Sequence, residues 1–134
     1  MDVFNVVAME VFHLSLNNFP QATEIDTMAV SKVVIGYFEI PDNKKELDNL
    51  ISDIDDIVFE TVIWLKDEGF LKDKGSSDNG FVVVLTNHGL TAINEVPIFL
   101  DSKKTFKEYF YQGITGLPFS TLSGLMVDFF KNGS

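Results

Sequence analysis

The chain has 134 residues, 46% of them hydrophobic, with 13 Phe, no Cys and a formal net charge of −10. The length suits one domain with a single core, the missing Cys excludes disulfides, thiolate metal sites and cysteine nucleophiles, and the charge opposes nucleic-acid binding, which relies on Lys and Arg to release counterions from phosphates. No apolar run reaches the roughly 18 to 20 residues of a membrane span and no secretion signal opens the chain, so a soluble, cytoplasmic protein is expected.

Val3 to Leu16 is apolar on most sides, with Asn5, Glu10, His13 and Asn17 on roughly one stripe. Its length predicts a largely buried helix, despite the β-branched Val3, Val6, Val7 and Val11, and Phe19 before Pro20 ends it. A polar loop through Gln21 to Ile25 is expected next. Asp26 or Thr27 then caps a segment in which Val30, Val33, Val34, Tyr37 and Phe38 keep helical spacing, weakened by Gly36. Ile40 and Pro41 break the chain, and Leu47, Leu50 and Ile51 predict a third, short helix starting after Asp42.

Ile54, Ile57, Val58, Thr61, Val62 and Leu65 mark one face of a longer amphipathic helix. Ser52 or Asp53 is its expected cap, Asp55 and Asp56 suit its first turn, and Gly69 supplies a left-handed exit. Phe70 and Leu71 start a short strand, Asp73 to Gly80 forms a long turn, and Phe81 to Leu85 is a β-prone return strand. Thr86 is the expected N-cap of a short helix carrying Leu90, Ala92 and Ile93, which Pro97 stops.

Two runs in this stretch sit at hairpin spacing. Leu65, Lys66, Asp67, Glu68, Gly69, Phe70 and Leu71 form a Leu-x-x-x-Gly-aromatic-Leu run, and Leu85, Thr86, Asn87, His88, Gly89 and Leu90 form a Leu-Thr-x-x-Gly-Leu run. Together they resemble the winged helix-turn-helix family, over Asp53 to Asn94 only. The resemblance implies a mainly α fold with a small β-hairpin, in which residues 1–97 make a winged-helix-like domain and 98–134 a C-terminal helical extension. It also implies a DNA-binding regulator working as a dimer.

In the extension, Ser102 can cap a helix carrying Phe106, Tyr109 and Phe110, ended by Gly113, and Gly113, Gly116 and Pro118 make a hinge. Phe119, Leu122, Leu125, Met126, Phe129 and Phe130 then form an apolar stripe. It packs on the core or on a second subunit, so Leu122, Leu125, Met126, Phe129 and Phe130 are the candidate seam of a homodimer. A membrane surface is disfavoured, because Lys131 is the one basic residue nearby and Asp128 opposes it.

A helix that reads a major groove offers Arg, Lys, Asn or Gln to base edges. Here Asp53, Asp55, Asp56, Glu60, Asp67 and Glu68 crowd the helix before the hairpin, Lys66 is its one basic residue, and the chain has no Arg. Asp53, Asp56, Glu60 and Asp67 are instead a candidate face for a protein partner with a basic surface. In the hairpin, Lys72, Lys74, Ser76, Ser77 and Asn79 can touch a phosphate backbone while Asp73 and Asp78 subtract from that; Lys103, Lys104 and Lys107 solubilise a helix. The acidic residues miss the calcium-loop spacing, and neither His13 nor His88 lies in a zinc or triad signature, so no enzyme, metal or cofactor is expected. The reading favoured is a non-enzymatic, acidic, dimeric protein-interaction module; the alternative is a DNA-binding transcriptional regulator acting through its hairpin.

Overall fold

In the computed structural model, which describes residues 3–98 and 103–133, the helix that is apolar on most sides lies at the centre. This is α1 (Val3–Asn18), whose consecutive residues Val6 to Phe12 are all buried. A helix without a polar face has to be enclosed. The enclosing elements follow as β1 (Thr23–Asp26), α2 (Thr27–Ile35), α3 (Lys44–Asp67), β2 (Leu71–Ser77), β3 (Gly80–Leu85), α4 (Asn87–Ile93), α5 (Phe106–Gln112) and α6 (Phe119–Gly133). The fold is mainly α with a small antiparallel sheet of order β1-β3-β2.

The loop expected at Gln21 to Ile25 is partly a strand. Thr23 to Asp26 pairs antiparallel with β3, turning Thr23 and Ile25 inward and leaving Glu24 exposed. Asp26 then caps α2 by accepting from the Ala29 N–H at 3.1 Å. That helix stops at Ile35 rather than running through Phe38, and Gly36 is its C-cap.

The short helix expected after Asp42 and the longer one expected from Ser52 are a single 24-residue helix. Asn43 caps it, accepting from the Lys45 and Glu46 N–H groups at 2.8 and 3.2 Å, so Ser52 and Asp53 sit inside the helix rather than at its start. Its exit follows the sequence. Gly69, at φ +83°, donates to the Lys66 carbonyl, and Phe70 donates to the Leu65 carbonyl, both at 3.0 Å. These two bonds satisfy carbonyls that would otherwise be orphaned at the helix end.

The long turn expected at Asp73 to Gly80 is mostly strand. β2 continues to Ser77 and the turn is only Asp78 and Asn79. Between the pairs Asp73 with Val83 and Ser76 with Phe81, β2 has one residue more than β3, a bulge eased by Gly75 at φ +121°. Gly80 is required where β3 meets β1, since a Cβ there would lie 2.0 Å from the Ile25 carbonyl oxygen.

Ser102 lies outside the described residues; α5 is capped by Thr105, with a reciprocal bond from the Thr105 N–H to Glu108. α6 lies against α1 and α4. Phe129 touches the rings of Phe12, Phe70, Phe106 and Phe110. Leu122, Leu125, Met126 and Phe129 have no accessible surface within the single chain. They are therefore not a dimer seam: the fold has already covered the stripe, and Phe130, half-buried, packs on Phe4 and Trp64. One continuous core joins the extension to the rest of the chain. Among the described residues no helix is long and apolar enough to cross a membrane.

Candidate functional site

The period of α3 separates two faces. Ile54, Val58, Thr61, Val62 and Leu65 enter the core, and Asp53, Asp56, Glu60 and Asp67, spaced three, four and seven apart, stand exposed on another side. Alongside that acidic row runs a groove of about 440 Å³, walled by Phe4 of α1 and by Ile57, Ile63 and Trp64 of α3, with Asp56, Glu60 and Asp67 at its rim. Thr61 lies at its base with a buried hydroxyl that has no hydrogen-bond partner. Three of the four acidic residues singled out from the sequence thus meet in one groove. Asp53 stands one turn earlier.

Trp64 is 37% exposed, yet it is held edge-on between Phe4 and Phe130, with ring centroids 5.3 and 5.2 Å away. An aromatic ring fixed on one side and open on the other is a preformed contact surface. None of the Asp56, Glu60 and Asp67 carboxylates has a salt-bridge partner among the described residues, and Lys66 is engaged elsewhere, 3.9 Å from Asp73 and 4.8 Å above the Phe81 ring. The groove therefore presents apolar surface inside uncompensated negative charge. Of its apolar wall the sequence pattern marks only Ile57, as a position on the core face of the helix; Ile63 and Trp64 interrupt the polar face of α3 and were the available signal.

The hairpin residues do not converge comparably. Lys72, Lys74, Ser76 and Asn79 are exposed and Ser77 is half-buried. Asp73 lies between the lysines and accepts from the Gly75 N–H at 3.0 Å. β2 is an edge strand, and lysine on an exposed edge is an ordinary guard against strand pairing between molecules. Lys104 and Lys107 lie over the Tyr109 and Tyr111 rings at 5.4 and 5.9 Å.

The histidines serve as structural ties. His13 Nδ1 is 2.7 Å from the Phe110 carbonyl oxygen, which requires Nδ1 to carry the proton and donate; Asn17 accordingly donates to the His13 carbonyl at 2.8 Å. That bond pins α1 to α5. His88 is exposed on α4 and stacks on Phe70 with centroids 4.9 Å apart. Glu10 is buried at 6% exposure, and that burial pushes its carboxyl above the ordinary glutamate range, opposed by the charge of His13. Among the described residues no group of three His, Asp or Glu is arranged to hold a metal ion. The chain matches no protein-family model, no curated protein and no solved structure.

Proposed function

We propose that this chain is a non-enzymatic protein-interaction module on a winged-helix-like frame, docking a partner of basic surface in the groove of α3. The observation that carries this reading is the meeting of Trp64 with Asp56, Glu60 and Asp67 at one groove. Binding energy concentrates on a few aromatic contacts that exclude water, while charges around them steer the approach of a complementary partner and repel others. The groove has both parts. Support for the frame comes from the three helices before the hairpin and from the two runs, Leu65 to Leu71 and Leu85 to Leu90, that flank it. On such a frame α3 is the helix that would read bases, and it offers carboxylates where donors are needed.

Regulation through DNA is the second reading, resting on the exposed Lys72 and Lys74 of the hairpin. Edge protection accounts for those lysines without a nucleic acid. A homodimer has lost the stripe that suggested it, because α6 packs inward. A cytoplasmic setting, compatible with the absence of Cys, belongs to the same proposal.

Trp64 is the one tryptophan of the chain, so its fluorescence reports on the groove directly. The test is a titration with a synthetic amphipathic helix bearing leucines on one side and lysines along their borders, beside one with mixed-sequence duplex DNA. The expected result is a saturable change in emission with the peptide, weakened at least five-fold in the double variant E60K/D67K. No change with the peptide overturns the reading. DNA binding that falls steeply with salt and is lost in K72E/K74E would put the regulator in its place.

A further inference from the structure

A second concavity, sharing no residue with the groove of α3, lies between α1, β1 and α2. It holds about 190 Å³ and is lined by Leu14, Ala29, Val30 and Val33 together with Glu10, Glu24 and Asp26. The three carboxylates are not equivalent. Asp26 is occupied as the cap of α2, and Glu24 stands on the exposed face of β1. Glu10 is 94% buried by its 6% exposure, lines the concavity, and has no hydrogen-bond or salt-bridge partner among the described residues.

A buried carboxylate without a partner is costly, and its usual remedies are a hydrogen bond, a counter-ion or protonation. The fold has taken most of this side chain out of water and left its carboxylate at a concavity with apolar walls. We propose that this concavity is a binding site for a small alkylammonium group, its cation meeting Glu10 and its methylenes lying along Leu14, Val30 and Val33. The size agrees, since pockets for drug-sized ligands run to roughly 300–1,000 Å³ and this one is smaller. A bare metal ion fits less well, because the three carboxylates do not form a metal-holding group and aliphatic walls offer a hard cation no oxygen. An alkylammonium uses both kinds of lining. Glu24 and Asp26 at the mouth add attraction without needing to touch it, and His13, one helical turn along α1, stands on the opposing side of the charge balance.

The test is a nuclear magnetic resonance titration of the intact chain with n-butylammonium chloride, following the amides of Glu24, Ala29 and Val30. The expected result is saturable shifts at these amides, at least ten-fold weaker in affinity in E10Q and absent with n-butanol. E10Q keeps the side chain's size and removes a buried charge, and unchanged amides away from the site verify its fold. Equal affinity in E10Q, equal shifts with n-butanol, or the same shifts with calcium chloride at matched ionic strength would each overturn the proposal, as would no shift at all. Nα-acetyl-lysine methylamide separates the two sources of the same chemistry: shifts at the same amides support a lysine side chain of a protein, and their absence beside butylammonium binding supports a free amine.

Discussion

At the scale of single residues, Thr86 joins the end of the hairpin to both of its neighbours. Its hydroxyl accepts from the Gly89 N–H at 3.0 Å as the cap of α4 and donates to the Gly69 carbonyl, while its own N–H reaches the Phe70 carbonyl at 3.1 Å. An N-cap alone is worth about 1 kcal/mol, and here its loss also frees a carbonyl at the exit of α3. T86A is therefore expected to lower stability by about 1–2 kcal/mol in urea titration, with T86S recovering most of it. Glu10 carries the opposite sign. Its carboxyl titrates higher in the folded chain than in the unfolded one because burial penalises the charged form, so stability is full below the ordinary glutamate pKa, about 4.3, and falls as pH rises through the folded value. E10Q should thus be more stable than the parent at pH 7, and the gap should close on acidification toward pH 4. A constant gap across that range would mean that the burial of charge is not what Glu10 costs.

At the scale of elements, α6 shows how a stripe can be legible and its destination not. Spacing placed Leu122, Leu125, Met126 and Phe129 on one face, but only the positions of α1, α4 and α5 decide that the face is covered. L125A is accordingly expected to cost about 2–5 kcal/mol by leaving a cavity. L125D and F129D should unfold the chain, read as lost near-ultraviolet circular dichroism, rather than release a folded half of a dimer. The same limit explains the rest. Leu47, Leu50 and Ile51 continue the period of Ile54 and Val58, yet Ser52 and Asp53 have the chemistry of a cap, and local signals alone divided one helix into two. β1 is four residues whose pairing partner, β3, lies far along the chain, so Thr23 to Ile25 read as part of a polar loop and Asp26 as a helix cap. By contrast, the exit at Gly69 and the cap at Thr86 are local chemistry, and both stand where the residues placed them. The acidic row of α3 was legible from its own period; the groove beside it was not, because Phe4 arrives from α1.

At the scale of the whole molecule, charge and core together decide how copies of the chain treat one another. A content of 13 Phe in so short a chain would suit apolar surface held back for a second subunit, but Phe12, Phe70, Phe106, Phe110 and Phe129 are fully buried in the core of one chain. The groove of α3 leaves apolar surface open, and its rim is acidic on a molecule of net charge −10. Two copies meeting there would bring like charges together, a cost of several kcal/mol at close range. Light scattering at low salt should therefore give the single-chain mass of 15.0 kDa. Salt discriminates further, because at about 1 M the screening length falls to about 3 Å and the repulsion between exposed rims largely disappears. If the groove itself is sticky toward a second copy, the mass should rise there and return to that of one chain in W64S. A doubled mass already at low salt, unaffected by W64S, would instead locate a dimer contact away from the groove and leave the basic partner without competition from self-association.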